Sequence, residues 1–499
     1  MFEESRGRRW VLLYSVQLLF VLIFVSVALL LEGYWISIND YLGSMTGINV
    51  NYVFGIIGIT FLPITYTLFM FLRGVAHLLT NRRERPRLIS KILSFVITAT
   101  YVLLLIALLL LWGDDGVLVL EALEFLSLFI HLCIQAAAIA ASIYLVPHAV
   151  RLARKIRQAG EIQSMKGPIV LGSFLLLYFV MFSSPLVIVP SNVVEGSFPP
   201  RPQVIGHRCG AALGPENTLE TAATAVLHGV AGIEVDVQVS LDGIPFLMHD
   251  VTLERTTNIE EVFSGRTTEL ASFFIISELR QLDAGSWFVD SDPFGTIADG
   301  TLTTSQISSY QNESIPTLYE ILDFVKQENL ILNVDFREPP IDHPHHADYF
   351  NICLSTLQSE DIDSQIWVTS RSTSWLDITM TLAPEMITAL TIELSDVPSS
   401  ATFLSNGYDM LNAYHGLHRS QLLDYHSSGI SLNTWVVNAA FRYTQLWCQG
   451  VDFVTTDYPH VLGAIVQPFW WLSIEVYSSI WIASTICLSL VVLKKLLDT

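Results

Sequence analysis

Residues 232–250 read GIEVDVQVSLDGIPFLMHD. Ile233, Val235, Val237 and Val239 alternate with Glu234, Asp236 and Gln238, the two-residue period of a strand with one apolar face. The Asp242-Gly243 step is a hairpin signal, and the apolar run after it returns along the first. Only Ser240-Leu241-Asp242-Gly243 joins the two runs, too few residues for a parallel crossover. With Val239 paired to Ile244, Asp236 falls opposite Leu247 and Glu234 opposite His249. Glu234 and Asp236 share one face of their strand, so an acidic pair and an imidazole are expected together.

Outward from this hairpin the pattern repeats as strand then helix. Further strand-like runs occupy 204–208, 330–336, 366–370, 387–393, 409–415, 431–437 and 451–457, with helix-like segments between most of them. That makes nine runs. With 244–250 set aside as the hairpin's return arm, eight remain, the number that closes a (β/α)8 TIM barrel over a length near the ~250 residues typical of that fold. Residues 251–318 read as a long insertion over one face of the barrel, in the position of a substrate cap.

The rest of the chain is of another kind. At 499 residues and 51% hydrophobic, the chain has two regimes: a polar half and six apolar segments, 10–31, 52–72, 92–112, 119–147, 168–190 and 468–493, each near the ~20 residues that span a bilayer. Basic residues gather at the N-terminus, at 73–91, at 151–166 and at Lys494-Lys495, while the connections around Asp40 and Asp114 carry none. Positive charge marks the cytoplasmic side, which places 191–467 outside the cell or in a secretory lumen, with the plasma membrane as the expected location. The domains are thus 1–190 with five spans, 191–467 as the barrel, and 468–499 with the sixth span and a short tail. The first span reads as a retained anchor rather than a cleaved signal. Residues 191–467 hold 10 Lys plus Arg against 35 Asp plus Glu, which argues against nucleic acid as a partner and suits cation binding. Asn312-Glu313-Ser314 is a glycosylation sequon on the lumenal side. Five cysteines show no metal-type spacing.

Four polar stretches sit at the ends of expected strands: His207-Arg208, Glu234-x-Asp236, His249-Asp250 and Asp335-x-Arg337. Strand C-terminal ends of a barrel open on one face, where such folds build active sites. Carboxylates suit a hard divalent cation, arginines suit phosphate oxygens, and imidazoles move protons near neutral pH. The set fits phosphodiester chemistry. Each has a plainer reading: a lone histidine at a strand end is commonly structural, the Glu234/Asp236 pair fits a solvated strand face, and Trp435 fits a core. His343, His345 and His346 lie among prolines and read as a solvated loop.

HRCGA with PENT, then IEVDV, DGIPFLMHD, LERTTN, NTWVVN and GVDFVTTDYP occur in that order, and together they resemble the glycerophosphodiester phosphodiesterase family, in its multi-pass animal form with six spans. The resemblance implies a hydrolase in which His207 and His249 are the acid/base pair, working through a cyclic phosphate that water then opens. It implies Arg208 on the phosphate, Arg337 beside it, Glu234, Asp236 and Asp335 on a divalent cation, Ca2+ or Mg2+, with Glu216 lining or completing that site, and Trp435 in the substrate groove. Three positions depart from the family pattern: Cys209 follows His-Arg where glycine is usual, setting a side chain beside the phosphate; Asp335 stands for Glu; Arg337 stands where many members have Lys. The implied substrates are glycerophosphodiesters such as glycerophosphocholine or glycerophosphoinositol. Lipid-linked phosphodiesters of the outer leaflet, glycosylphosphatidylinositol anchors included, are the alternative, and a catalytically weak receptor or scaffold is a third reading supported by Cys209 and Asp335.

Overall fold

The computed structural model describes residues 185–497 without interruption and, before them, 5–31, 34–48, 50–79, 87–111 and 117–133 with isolated positions at 135, 151, 176 and 183. The chain divides into two units, Met1–Phe198 with Trp470–Thr499, and Pro199–Phe469. In the first unit, four helices are long and apolar enough to cross a membrane among the described residues, over Leu13–Leu30, Tyr52–Ala76, Leu88–Ala107 and Ile474–Val491. They coincide with four of the six expected spans. Of the expected span 119–147, residues 119–133 are described and are helical apart from a turn at 126, while most of its remainder and of 168–190 lies outside the described residues. The connection around Asp40 contains a helix, Trp35–Thr46, closed by Gly47 in the left-handed region.

The second unit is built on nine strands: β1 (Gln203–Gly206), β2 (Gly232–Val239), β3 (Pro245–Leu247), β4 (Ile331–Phe336), β5 (Ile366–Ser370), β6 (Ile387–Ile392), β7 (Met410–Tyr414), β8 (Ser431–Trp435) and β9 (Phe453–Thr456). Eight of them pair in parallel around a ring, β1-β9-β8-β7-β6-β5-β4-β2, closed by β2 against β1 through Ile205↔Gly232 and Gly206↔Ile233. The TIM-type barrel expected from the sequence is present, and β3 stands outside the ring as the antiparallel partner of β2.

Strand alternation sorts the side chains. Ile233, Val235 and Val237 of β2 join Leu332, Val334, Ile366 and Val368 in the large outer core, packed against helices such as Leu318–Glu328. Each fully buried side chain of this size contributes roughly 1.5–3 kcal/mol. That helix starts where Thr317 accepts the Glu320 N–H and Glu320 accepts the Thr317 N–H, and stops at Asn329 in the left-handed region. Inside the ring, Ile205, Trp367, Ala389 and Met410 form an apolar floor. Above it lies a band of amides and hydroxyls: Asn433 donates to Asn412 at 2.7 Å and to Thr455 at 3.0 Å, Asn412 donates to Thr391 at 3.2 Å, and Thr369 bonds Asn333.

The hairpin differs from expectation by one residue. Ser240 N–H donates to the Ile244 carbonyl at 3.0 Å and Gly243 N–H to the Ser240 carbonyl at 2.9 Å, so the loop is Leu241-Asp242-Gly243. Gly243 takes φ +82°, the left-handed position that a three-residue hairpin loop requires. An odd loop slips the register: Val239 faces Pro245 and Val237 faces Leu247, and Asp236 receives Met248 N–H at 3.0 Å. His249 still reaches the acidic pair because the chain leaves the ladder after Leu247. Residues 251–318 carry short helices over Ile259–Val262, Ile276–Leu279, Ser286–Ser291 and Thr304–Tyr310 and pack Leu253, Ile259, Phe274 and Leu279 into a second core with Phe246 of β3.

Candidate active site

β1 ends at Gly206, two residues short of its expected end, and the chain turns at once through His207–Cys209. Arg208 and Cys209 both have positive φ, 47° and 68°, which costs an L-residue roughly 1–2 kcal/mol each. The turn directs the Arg208 N–H onto Glu234 Oε2 at 2.7 Å. It also leaves Cys209 wholly buried in the outer core, so its thiol lines neither cavity of the site and does not stand beside a phosphate as the sequence led us to expect.

His207 Nδ1 lies 2.7 Å from Asp457 Oδ1, and its Nε2 lies 3.9 Å from Glu234 Oε2. Burial alone would lower the imidazolium's pKa, but the Asp457 carboxylate more than offsets it and the group rests at about 9. Asp457 is itself held low by His207 against the effect of burial, and Asn438 donates to its second oxygen at 2.6 Å. His249 is held the same way: its Nδ1 lies 2.8 Å from Asp250 Oδ1, and Arg255 donates to Asp250 Oδ2 at 2.6 Å. Two imidazoles at one mouth are thus each fixed at Nδ1 by an aspartate.

Between them lie the carboxylates of Glu234, Asp236 and Asp335, whose ligand atoms all fall within 4.8 Å of one another. Asp236 is fully buried and held low, because Arg337 and Arg208 outweigh burial; Arg337 donates to its Oδ1 at 2.9 and 2.6 Å, and Asn217 to its Oδ2 at 2.9 Å. Glu234 has weaker compensation, from His207 and the Arg208 N–H, and burial together with Asp236 pushes it up to about 8. Three converging carboxylates, one of them short of positive charge, fit a hard divalent cation. Arg337 also lies 2.9 Å from Asp335 Oδ2.

Glu216 is not brought into this triad. It lies instead with His249 and Asp250, the three offering ligand atoms within 4.8 Å of one another, and its carboxylate accepts from Arg208 at 3.2 Å and from Arg255 at 2.8 and 2.6 Å. It precedes the helix Leu219–Leu227, whose N-cap is Thr218. Trp435 donates its indole N–H to the Asn412 carbonyl at 3.2 Å and lines a cavity of about 580 Å³ with His207, His249, Asp335 and Arg337. Asn312 is exposed on the insertion. His343 and His346 bond backbone carbonyls, of Ser272 and Pro339, at 2.9 and 2.8 Å; the segment is a loop as expected, but His343 is buried rather than solvated.

Asp457, Asn217 and Arg255 were not among the residues singled out from sequence. Asp457 carried a usable signal, since it follows the last strand of a barrel whose closure pairs Thr456 with Gly206 and so sets residue 457 beside residue 207.

Residues 207–461 match the model of the glycerophosphoryl diester phosphodiesterase family. Glycerophosphodiester phosphodiesterase domain-containing protein 5 of Gallus gallus is 31% identical over 451 residues, covering 90% of this chain and 72% of the relative. A glycerophosphoinositol inositolphosphodiesterase of Mus musculus is 33% identical over 336 residues, 66% of this chain and 60% of that one. Among solved structures, a phosphodiesterase from Oleispira antarctica in complex with sn-glycerol-3-phosphate is 26% identical with a TM-score of 0.43, over 52% of this chain and 95% of that one. With its barrel, its family match over half the chain and relatives alike over most of its length, this protein belongs to the glycerophosphodiester phosphodiesterase family and is a phosphoric diester hydrolase.

Proposed function

We propose that the protein is a membrane-anchored, divalent-cation-dependent phosphodiesterase that hydrolyses glycerophosphodiesters of the glycerophosphocholine or glycerophosphoinositol class by histidine acid/base catalysis. One observation carries this reading: His207 and His249, each fixed at Nδ1 by an aspartate, flank Arg208, Arg337 and a carboxylate triad at one barrel mouth. The name of the mouse relative supports placing glycerophosphoinositol among the substrates. The four apolar helices support anchoring, and the one-sided distribution of Lys and Arg supports an exterior or lumenal barrel at the plasma membrane or a secretory compartment.

In this mechanism Arg208 and Arg337 hold the phosphate oxygens. One imidazole takes the proton of a glycerol hydroxyl as its oxygen attacks phosphorus. The other gives a proton to the departing alkoxide as its P–O bond breaks, and water opens the resulting cyclic phosphate with the two roles exchanged. Glu234, Asp236 and Asp335 would hold the cation, which when bound polarises phosphoryl oxygens and lowers the pKa of a hydroxyl. Trp435 forms one wall of the groove. The receptor reading loses one of its two supports, because the Cys209 thiol is buried in the core and lines neither of the two cavities beside His207.

The test is hydrolysis of both soluble substrates by the detergent-purified full chain with Ca2+, Mg2+ or chelator, beside His207→Ala and His249→Ala. Cation-dependent turnover lost in both variants is expected. Turnover that survives either substitution, or none in folded wild-type protein, overturns the reading.

A further inference from the structure

Two cavities meet at the His207–Arg208 turn. The larger, about 580 Å³, is mixed: hydrogen-bonding groups rise into it from the barrel interior, among them Asn333, Thr369, Thr391 and Asn412, beside the aromatic rings of Trp375 and Trp435. The second, about 460 Å³, opens on the other side of the turn beneath the insertion, and its walls beyond the catalytic groups are chiefly Ala211, Trp287, Pro293 and Phe294. A phosphodiester has two alcohols and this centre has two unlike chambers.

Three chemical classes compete for the second chamber. A cationic alcohol such as choline would need an unpaired carboxylate or an open aromatic face. Glu216 is bracketed by Arg208 and Arg255, Asp457 is bonded to His207, and the Arg255 guanidinium already stands 5.8 Å from the Trp287 ring centre. A polyol would need donors and acceptors to replace its water. The Trp287 indole N–H is taken by the Ala284 carbonyl at 2.9 Å, and Ser291 Oγ donates to the Trp287 carbonyl at 2.6 Å. What remains to be offered is apolar surface, with Phe294 braced edge-on by Tyr458 at 5.7 Å.

We propose that the Trp287/Phe294 chamber is a subsite for an uncharged apolar substituent, an alkyl or acyl chain, on one alcohol of the substrate. The larger chamber takes the polyol of the other alcohol. Resting on the phosphodiesterase reading above, this adds to it a preference, among glycerophosphodiesters, for those that carry an apolar chain on one alcohol. It gives the insertion a task distinct from catalysis, because both aromatic walls come from residues 287–294.

The experiment uses the full chain in lipid nanodiscs, free of competing detergent. Monoalkyl phosphates from methyl to octyl, all monomeric in solution, are titrated by thermal shift, and phosphocholine is titrated in parallel. Affinity is expected to rise about fourfold per methylene, the equivalent of ~0.8 kcal/mol each, until the chamber is filled. Phe294→Ala, and separately Trp287→Ala, should flatten the series to under twofold per methylene. This slope is a ratio within one variant, so a general loss of affinity does not affect it, and either variant alone suffices if the other fails to fold. A flat wild-type series, a slope unchanged in the variants, or phosphocholine bound more tightly than octyl phosphate overturns the subsite. Because the readout is binding, it decides the subsite whether or not glycerophosphocholine is turned over, and turnover separately decides the phosphodiesterase mechanism.

Discussion

Replacing Asp457 by Asn removes one charge while leaving an amide oxygen where the carboxylate oxygen met His207 Nδ1 at 2.7 Å. Burial alone would depress the imidazolium, and the carboxylate instead holds it at about 9, against an ordinary value of ~6.5. That difference corresponds to roughly 3 kcal/mol of preference for the protonated ring, at ~1.36 kcal/mol per pH unit. An acid/base residue that loses its orienting charge forfeits much of a contribution of ~10²–10⁴ in rate. We therefore expect kcat of Asp457→Asn to fall by at least ~100-fold with KM within about threefold, measured on a glycerophosphodiester at saturating cation, and Asp457→Glu to recover part of it. Stability gives an independent readout. A histidine raised on folding contributes stability that is full below ~6.5 and lost as pH rises through about 9. In chelator, the melting temperature of the wild type should fall across that window more steeply than that of Asp457→Asn. A variant with normal folding and kcat within threefold of wild type would show that Asp457 only fills space, and the reasoning would fail.

Three other outcomes follow from the same geometry. Asn217 has φ 57° and bonds both the side chain and the N–H of Asp236; Asn217→Ala should cost ~3 kcal/mol in denaturant unfolding and Asn217→Gly about 1 kcal/mol less, because glycine accepts that backbone freely, and equal, near-zero costs would refute the role. Glu313 is pushed up to about 7, chiefly by burial, so its folded form keeps a proton that the unfolded chain loses near ~4.5 and stability declines between those values; Glu313→Gln, which preserves the sequon, should raise the melting temperature by ~2–4 °C at pH 8, for about 1 kcal/mol, with no gain at pH 5, and a gain of equal size at pH 5 would contradict the sign. Adding Ca2+ or Mg2+ should raise the wild-type melting temperature and leave that of Glu234→Gln unmoved; a wild-type response in the variant would place the cation elsewhere.

What the sequence disclosed was whatever short-range periodicity encodes. Alternation in Ile233–Val239 and the Asp242-Gly243 turn identified β2, its return arm and, by subtraction, a ring of eight. The register was missed by one because Ser240 pairs with Ile244 rather than entering the loop, a choice between a four- and a three-residue turn that the letters leave open. His207, Glu234, Asp236, Asp335, Arg208 and Arg337 do meet, since strand ends of a barrel converge whatever the loops do, and His249 joins them from outside the ring because the chain leaves the hairpin ladder after Leu247. The partners were harder to see. Asp457 meets His207 across 250 residues, and Glu216 was drawn off by Arg255, 39 residues away and within the insertion. Which carboxylate faces a cation and which faces a guanidinium is settled by contacts that leave no local period.

Closure of the ring has a consequence in time. His207 leaves the ribosome 250 residues before Asp457, an interval of roughly 10–50 s at ordinary elongation rates. Throughout it β1 lacks its β9 neighbour and His207 lacks its carboxylate. On the mechanism proposed above, competence for hydrolysis and completion of the barrel therefore arrive as a single event, the docking of Phe453–Thr456 against Gln203–Gly206. A barrel cut short before that strand is then not a slower enzyme but one whose first histidine has never met its carboxylate.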